Sequence, residues 1–187
     1  MNNTIDTILA RQSCPKLTLP APSAEELEQV LLCGMKAPDH ARLKPWRFVV
    51  LEGAALNKLG EAFLQVKLQQ DPHLPQSACE KLLNMPLRAP LMIVAIAELK
   101  EHPKVPAIEQ IVAVGCAVQN MQLALSSLGY GAMWRTGEMA FTAEVKKYFT
   151  AQEADEIVGF LYVGSPACEP KQFDLQQVSE TTEFWSD

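Results

Sequence analysis

The sequence predicts an α/β or α+β sandwich, and three observations lead there. Three apolar runs, 47–52, 91–97 and 156–164, have the length and the β-branched or aromatic content of buried strands. Helical periods separate them, but a helix precedes the first strand and a pair of helices precedes the second, so the order is not a regular β-α-β alternation. Between the second and third runs, 106–127 reads as one helix whose apolar residues go most of the way round, with charge almost absent after Glu109. Such a helix belongs in the middle of a domain or between two subunits, so the sandwich is expected to dimerise.

Size and charge narrow the classes. A chain of 187 residues, 48% hydrophobic, suits one domain over 1–187 with a sizeable core. A net charge of -6 and a pI near 5.1 argue against nucleic acid or an anionic membrane as the main partner, so any anion site must come from a few local cations. No apolar run approaches a membrane span and the N-terminus lacks a secretory pattern, which points to the cytoplasm. Cys14, Cys33, Cys79, Cys116 and Cys168 are scattered and contain no Cys-x-x-Cys, so reduced thiols are expected, not a disulfide framework or a zinc site.

In chain order, 4–10 is a short amphipathic helix that stops at Arg11-Gln12-Ser13-Cys14-Pro15. Arg11 and Ser13 on that turn could grip a phosphate, the arginine with its fork of donors and the serine with its hydroxyl. Taken alone, the simpler reading is that Arg11 complements a helix C-terminus. Ser23 and Glu26 form a capping box opening a helix to about Ala37, with Leu27, Val30, Leu31 and Met35 on its inner side. The following loop carries Lys36, His40, Arg42 and Lys44 and closes on Pro45-Trp46; in isolation it reads as a solvated surface loop. Asp39 beside His40 lacks the Gly-x-Ser-x-Gly context of a hydrolase.

Helices are expected over 54–69 and 76–85, with 71–75 between them expected as a mobile loop. The run 91–97 is a central strand covered on both faces. His73 and His102 read as solvated loop residues. The long helix stops at Gly129-Tyr130-Gly131 and leads into Trp134-Arg135-Thr136, which would set a ring, a guanidinium and a hydroxyl side by side. A short helix from Thr142, a helical turn over 151–155 and the third strand follow. Beyond Pro166 the sequence turns polar and loses its period, so the tail is expected to lie across another subunit. No Gly-x-Gly-x-x-Gly follows the first strand, which argues against a Rossmann fold.

Three separated signals resemble the nitroreductase flavoproteins: Arg11-Gln12-Ser13 after the first helix, Ala37-Pro38 with Pro45-Trp46 after the second, and Gly129 to Thr136 after the long one. The wording of Ala37-Pro38-Asp39-His40, Lys104-Val105-Pro106, Trp134-Arg135-Thr136 and 157–162 is similar to the compact NAD(P)H nitroreductases of that family, and the likeness runs from residue 4 to about 166. The resemblance implies an α+β homodimer, a central mainly antiparallel sheet flanked by helices, with an FMN in each of two sites built from both subunits. By the same resemblance Arg11, Gln12 and Ser13 hold the phosphate and ribityl end. Lys36 and His40 reach the cofactor from the other subunit, Trp134, Arg135 and Thr136 contact it, and the tail over 165–187 packs on the partner.

The activity so implied is ping-pong: NADH or NADPH passes a hydride to FMN, leaves, and a small acceptor such as a nitroaromatic or quinone is reduced in turn. The cofactor carries that chemistry, so no side chain is named as catalytic and no metal is expected. A dehydrogenation or dehalogenation on the same fold, or a flavin-binding protein without turnover, are the competing readings. Many family members carry Asn and Gln where this chain has Arg42 and Lys44, so an altered flavin potential is expected.

Overall fold

Strand β3 (Leu91–Ala97) is buried along its whole length, as its unbroken apolar run predicts. In the computed structural model, which describes residues 3–170 and 176–186, β3 lies between two antiparallel neighbours, β2 (Trp46–Glu52) and β5 (Glu156–Pro166). The other edge of β5 takes two further antiparallel partners. These are β4 (Gly131–Arg135) and the two-residue β1 (Leu17–Thr18), a strand the sequence did not announce. All the ladders are antiparallel, which decides for α+β over α/β. β2 is a half-buried edge strand, not the buried one its apolar run suggested, because among the described residues it pairs with β3 alone.

The period of two along β3 sorts the core into two layers. Met92, Val94 and Ile96 face a cluster built with Leu59, Phe63 and Leu82 from α3 (Ala54–Gln70) and α4 (Gln76–Asn84), and with Val145 from α6 (Ala143–Tyr148). Leu91, Ile93, Ala95 and Ala97 face the other cluster, with Val30 from α2 (Ala24–Gly34) and Val114, Val118, Met121 and Leu125 from α5 (Ala107–Ser127). The β3–β5 register shifts between Ala95 and Ile96, so Val158 has no partner on β3. This bulge puts Ile157 and Phe160 on one face despite their odd spacing.

The capping box is present: Glu26 N–H donates to Ser23 Oγ at 3.2 Å and Ser23 N–H to Glu26 Oε2 at 2.8 Å. α2 ends at Gly34, short of Ala37, and Met35 is exposed, because the chain turns there and leaves the core. α5 spans the expected range but is not buried all round. One face packs on α2 and the sheet, while Ile108 and Val112 are 63% and 56% exposed. The expected helical turn over 151–155 is a non-helical turn, in which Asp155 accepts from the N–H groups of Gln152 and Leu99.

Past β5, Ala167 N–H donates to Lys16 carbonyl at 2.9 Å, and Phe184 and Trp185 are exposed. The tail expected over 165–187 therefore begins inside β5, and its residues 171–175 and 187 lie outside the described residues. No helix among the described residues is long and apolar enough to cross a membrane.

Candidate functional site

Helix α1 (Asn3–Ala10) ends where Arg11 N–H donates to Thr7 carbonyl at 2.9 Å, and the chain then runs extended. Ser13 makes a parallel bridge to Ala132, and Cys14 N–H donates to Ala132 carbonyl at 2.9 Å. Two motifs 119 positions apart thus become neighbours: the turn carrying Arg11, Gln12 and Ser13 lies against β4, which ends in Trp134 and Arg135. Arg11 and Gln12 are half-buried and Ser13 is exposed. Among the described residues no carboxylate pairs with the Arg11 guanidinium. A cavity of about 650 Å³ opens here, lined by Gln12, Ser13, Lys16, Tyr130, Met133 and Cys168, among others.

Consecutive residues of a strand point to opposite faces, which corrects the side-by-side arrangement expected of Trp134 and Arg135. Trp134 turns towards α5, its ring near Gly115, and its Nε1 donates to Val158 carbonyl at 3.2 Å. Gly159 makes this possible, since a Cβ there would stand 2.0 Å from that nitrogen. Arg135 turns the other way and sets its guanidinium 6.0 Å from the centre of the Tyr162 ring. Burial raises the Tyr162 phenol above its ordinary value, against the opposing pull of Arg88 and Arg135. Thr136 follows the strand and is exposed.

Lys36 and His40 fall elsewhere. Lys36 is exposed and lines a cavity of about 450 Å³ with Thr4, Thr7, Asn120 and Ser127, between α1, α2 and α5. His40 Nδ1 meets Glu109 Oε2 at 2.7 Å in the first turn of α5. Neither residue lines the cavity beside Ser13. Both flank the apolar side that α5 leaves open, where Pro38, His40, Ile108 and Val112 border a smaller hollow of about 270 Å³. Within one chain, then, the fold joins Ser13 to the Trp134 strand and leaves Lys36 and His40 on an exposed flank.

The loop that follows His40 is strained. Ala41, Arg42 and Lys44 all take positive φ, at 61°, 57° and 49°, which costs energy for residues with a Cβ. Lys44 N–H donates to Asp39 Oδ2 at 2.6 Å and Lys100 Nζ to Leu43 carbonyl at 2.5 Å, which hold the loop in that shape.

Three features were not found from sequence. Tyr130 donates its hydroxyl to Glu26 Oε2 at 2.8 Å; the Ser23 N–H first, then this hydroxyl, lowers the Glu26 carboxyl, and Glu26 in turn raises Tyr130. Glu109 as the partner of His40 had one signal, an acidic residue in a helix's first turn. Cys14 against Cys168, Sγ to Sγ 3.4 Å, had none.

As chemistry, the turn and β4 offer a guanidinium with no carboxylate partner among the described residues, a hydroxyl and an apolar-walled hollow, a set suited to a flat ligand with an anionic end. A family model described as the nitroreductase family matches residues 8–165. The Escherichia coli (strain K12) protein named "Putative NAD(P)H nitroreductase YdjA" is 38% identical over 164 residues, 88% of each chain. A Haemophilus influenzae protein of similar name is 32% identical over 164 residues, 87% of this chain and 88% of that one. Among solved structures, a nitroreductase-like protein from Bacillus cereus superposes with a TM-score of 0.82 at 22% identity, over 97% of this chain and 95% of its own. A nitroreductase with bound FMN from Bacteroides fragilis does so with a TM-score of 0.73 at 22% identity, over the whole of both chains. The family match over most of its length, together with these relatives, makes this chain a member of the nitroreductase family.

Proposed function

We propose that the protein is an FMN-dependent NAD(P)H oxidoreductase that works as a homodimer in the cytoplasm and reduces small planar acceptors such as nitroaromatics or quinones. The observation that carries this reading is the Ser13–Ala132 bridge, which lays the Arg11-Gln12-Ser13 turn along the strand of Trp134 and Arg135. The donor set fits a flavin phosphate: an Arg11 guanidinium without a carboxylate partner among the described residues, and an exposed Ser13 hydroxyl beside a cavity of about 650 Å³. The names of the relatives and the FMN in the Bacteroides fragilis structure support the same assignment.

When bound, the flavin would supply the redox chemistry, accepting a hydride from the nicotinamide and passing electrons to the acceptor. The chain's own part is to hold and orient. Arg11 and Ser13 would bind the phosphate end, with Gln12 next to them. Trp134 fixes the strand through Val158, so that Arg135 and Thr136 are presented at a set position. Lys36 and His40 would complete the site of the other subunit. Ile5, Ile8 and Leu9 on α1 and Ile108 and Val112 on α5 are exposed, and they would form the contact between subunits. Lys44 would make the bound flavin easier to reduce, so Lys44→Gln is expected to lower its midpoint potential; an unchanged or higher potential removes that role.

An anaerobic titration tests the reading. Purified protein should be yellow, bleach with NADH or NADPH, and recover its colour with a nitroaromatic. Colour without bleaching would favour a flavin-binding protein without turnover. No colour and no affinity for FMN would end the proposal.

A further inference from the structure

We propose that Cys14 and Cys168 are a modification site: a pair of thiols that hydrogen peroxide converts to a disulfide, stapling the chain that leaves β5 to the turn that follows α1. Their sulfurs stand 3.4 Å apart although 154 positions separate them. Both flanks are already held. Leu17 pairs with Pro166, and Ala167 N–H donates to Lys16 carbonyl at 2.9 Å. On the other side Cys14 N–H is bonded to Ala132, so closing to the ~2.05 Å of a disulfide asks for a small local adjustment. Gly131 keeps the room: a Cβ there would come within 3.0 Å of the Cys14 Cβ and 3.3 Å of its Sγ.

The two thiols differ in the way such chemistry needs. Cys168 is exposed, whereas Cys14 is only 6% exposed and donates its S–H to Lys16 carbonyl at 3.2 Å. Burial first, and the Cys168 contact second, raise the Cys14 thiol above its ordinary value and keep it protonated while its neighbour meets solvent. A metal site is the other use of paired thiols, but no group of three or more ligating side chains gathers among the described residues. The remaining cysteines, Cys33, Cys79 and Cys116, are free.

The electrons balance with peroxide as oxidant. The Cys168 thiolate attacks one peroxide oxygen, the O–O bond breaks, and hydroxide leaves to be protonated to water, giving a sulfenic acid on Cys168. Cys14 then attacks that sulfur as its proton departs, the S–S bond forms, and the S–O bond breaks to release a second water. Two thiols lose two electrons and one peroxide gains them. Cys14, Cys168 and Glu169 line the cavity beside Ser13, so the bond ties two of its walls together. The cross-link rests on the two sulfurs alone and goes beyond the flavin reading.

Peptide mapping of the full chain tests it. After peroxide treatment, alkylation without reduction and tryptic digestion, the peptides 12–16 and 148–171, each with one cysteine, are expected as a linked pair lighter by two hydrogens. The pair should vanish on reduction and be absent from Cys168→Ser, whose substituted side chain is exposed and leaves the fold intact. Recovery of both peptides alkylated overturns the proposal. So does Cys168 recovered as sulfinic acid with Cys14 alkylated, or linkage of either residue to Cys33, Cys79 or Cys116.

Discussion

The indole nitrogen of Trp134 donates to the carbonyl of Val158 at 3.2 Å, and Val158 is the residue that the β3–β5 register shift leaves without a partner on β3. A bulge in the central ladder thus supplies the acceptor that anchors β4 from the side. Because Trp134 is anchored towards α5, Arg135 is committed to the opposite face, over Tyr162. The bulge therefore bears on the candidate site, although Val158 does not line the cavity beside Ser13.

Gly159→Ala tests that dependence. The new methyl would lie 2.0 Å from Trp134 Nε1 and 3.0 Å from the Arg135 carbonyl, so the indole must leave its place or the strand must shift. Overpacking of this kind costs about 1–3 kcal/mol. The denaturation midpoint should fall accordingly, and the tryptophan emission should move as the indole loses its bond. A variant as stable as the parent would mean that Trp134 is not locked by this contact.

Arg11→Ala addresses the phosphate end. If Arg11 makes charge-assisted bonds to phosphate, their loss is worth roughly 1.5–3 kcal/mol, which weakens FMN at least ~tenfold. Fold stability should change little, since among the described residues the guanidinium has no carboxylate partner to lose. Fluorescence titration with FMN reads the effect directly. An unaltered affinity would remove Arg11 from the site.

The Tyr130–Glu26 bond predicts a pH dependence at the N-terminus of α2. The folded-state carboxyl of Glu26 is held below its ordinary value, mainly by the Ser23 N–H and next by the Tyr130 hydroxyl. A depressed carboxyl stabilises the fold fully above the unfolded value and loses that contribution as pH falls through the folded one. Tyr130→Phe should move the Glu26 titration up towards the ordinary carboxylate range and bring the acid loss of stability to a higher pH. Carboxyl-observed NMR titration of the two proteins measures this, and coincident curves would refute it.

Much of this arrangement was legible because it depends on local pattern. The seven-residue apolar run of β3, the Ser23–Glu26 box and the turnless length of α5 each carry their own period or cap. What sequence could not give depends on distant backbone. β1 is two residues long and exists because Pro166 and Ser165 pass beside it. The half-exposure of β2 follows from its place at an edge, which no apolar run encodes. Trp134 and Arg135 are neighbours in the sequence, but 131–135 becomes a strand only by pairing with distant β5, and its alternation sends the two side chains to opposite faces. Lys36 and His40 illustrate the remaining limit: if the site is shared between subunits as proposed, part of it must sit on an exposed flank of each chain, where one sequence gives it no neighbour.

Val112→Glu probes that flank. Val112 is 56% exposed in the single chain and Ile108, one turn before it, is 63% exposed, so a glutamate there meets water and leaves the monomer's core untouched. If the α5 face is the contact between subunits, each copy would instead bury a carboxylate without a partner, at a cost of several kcal/mol per ion. A two-fold interface presents the change twice, so the dissociation constant should rise at least ~tenfold. Sedimentation at several concentrations should show monomer accumulating. FMN affinity should fall with it, because Lys36 and His40 would no longer reach the partner's site. Should the variant stay dimeric at the lowest concentrations and keep its flavin, the apolar side of α5 is not where two copies meet.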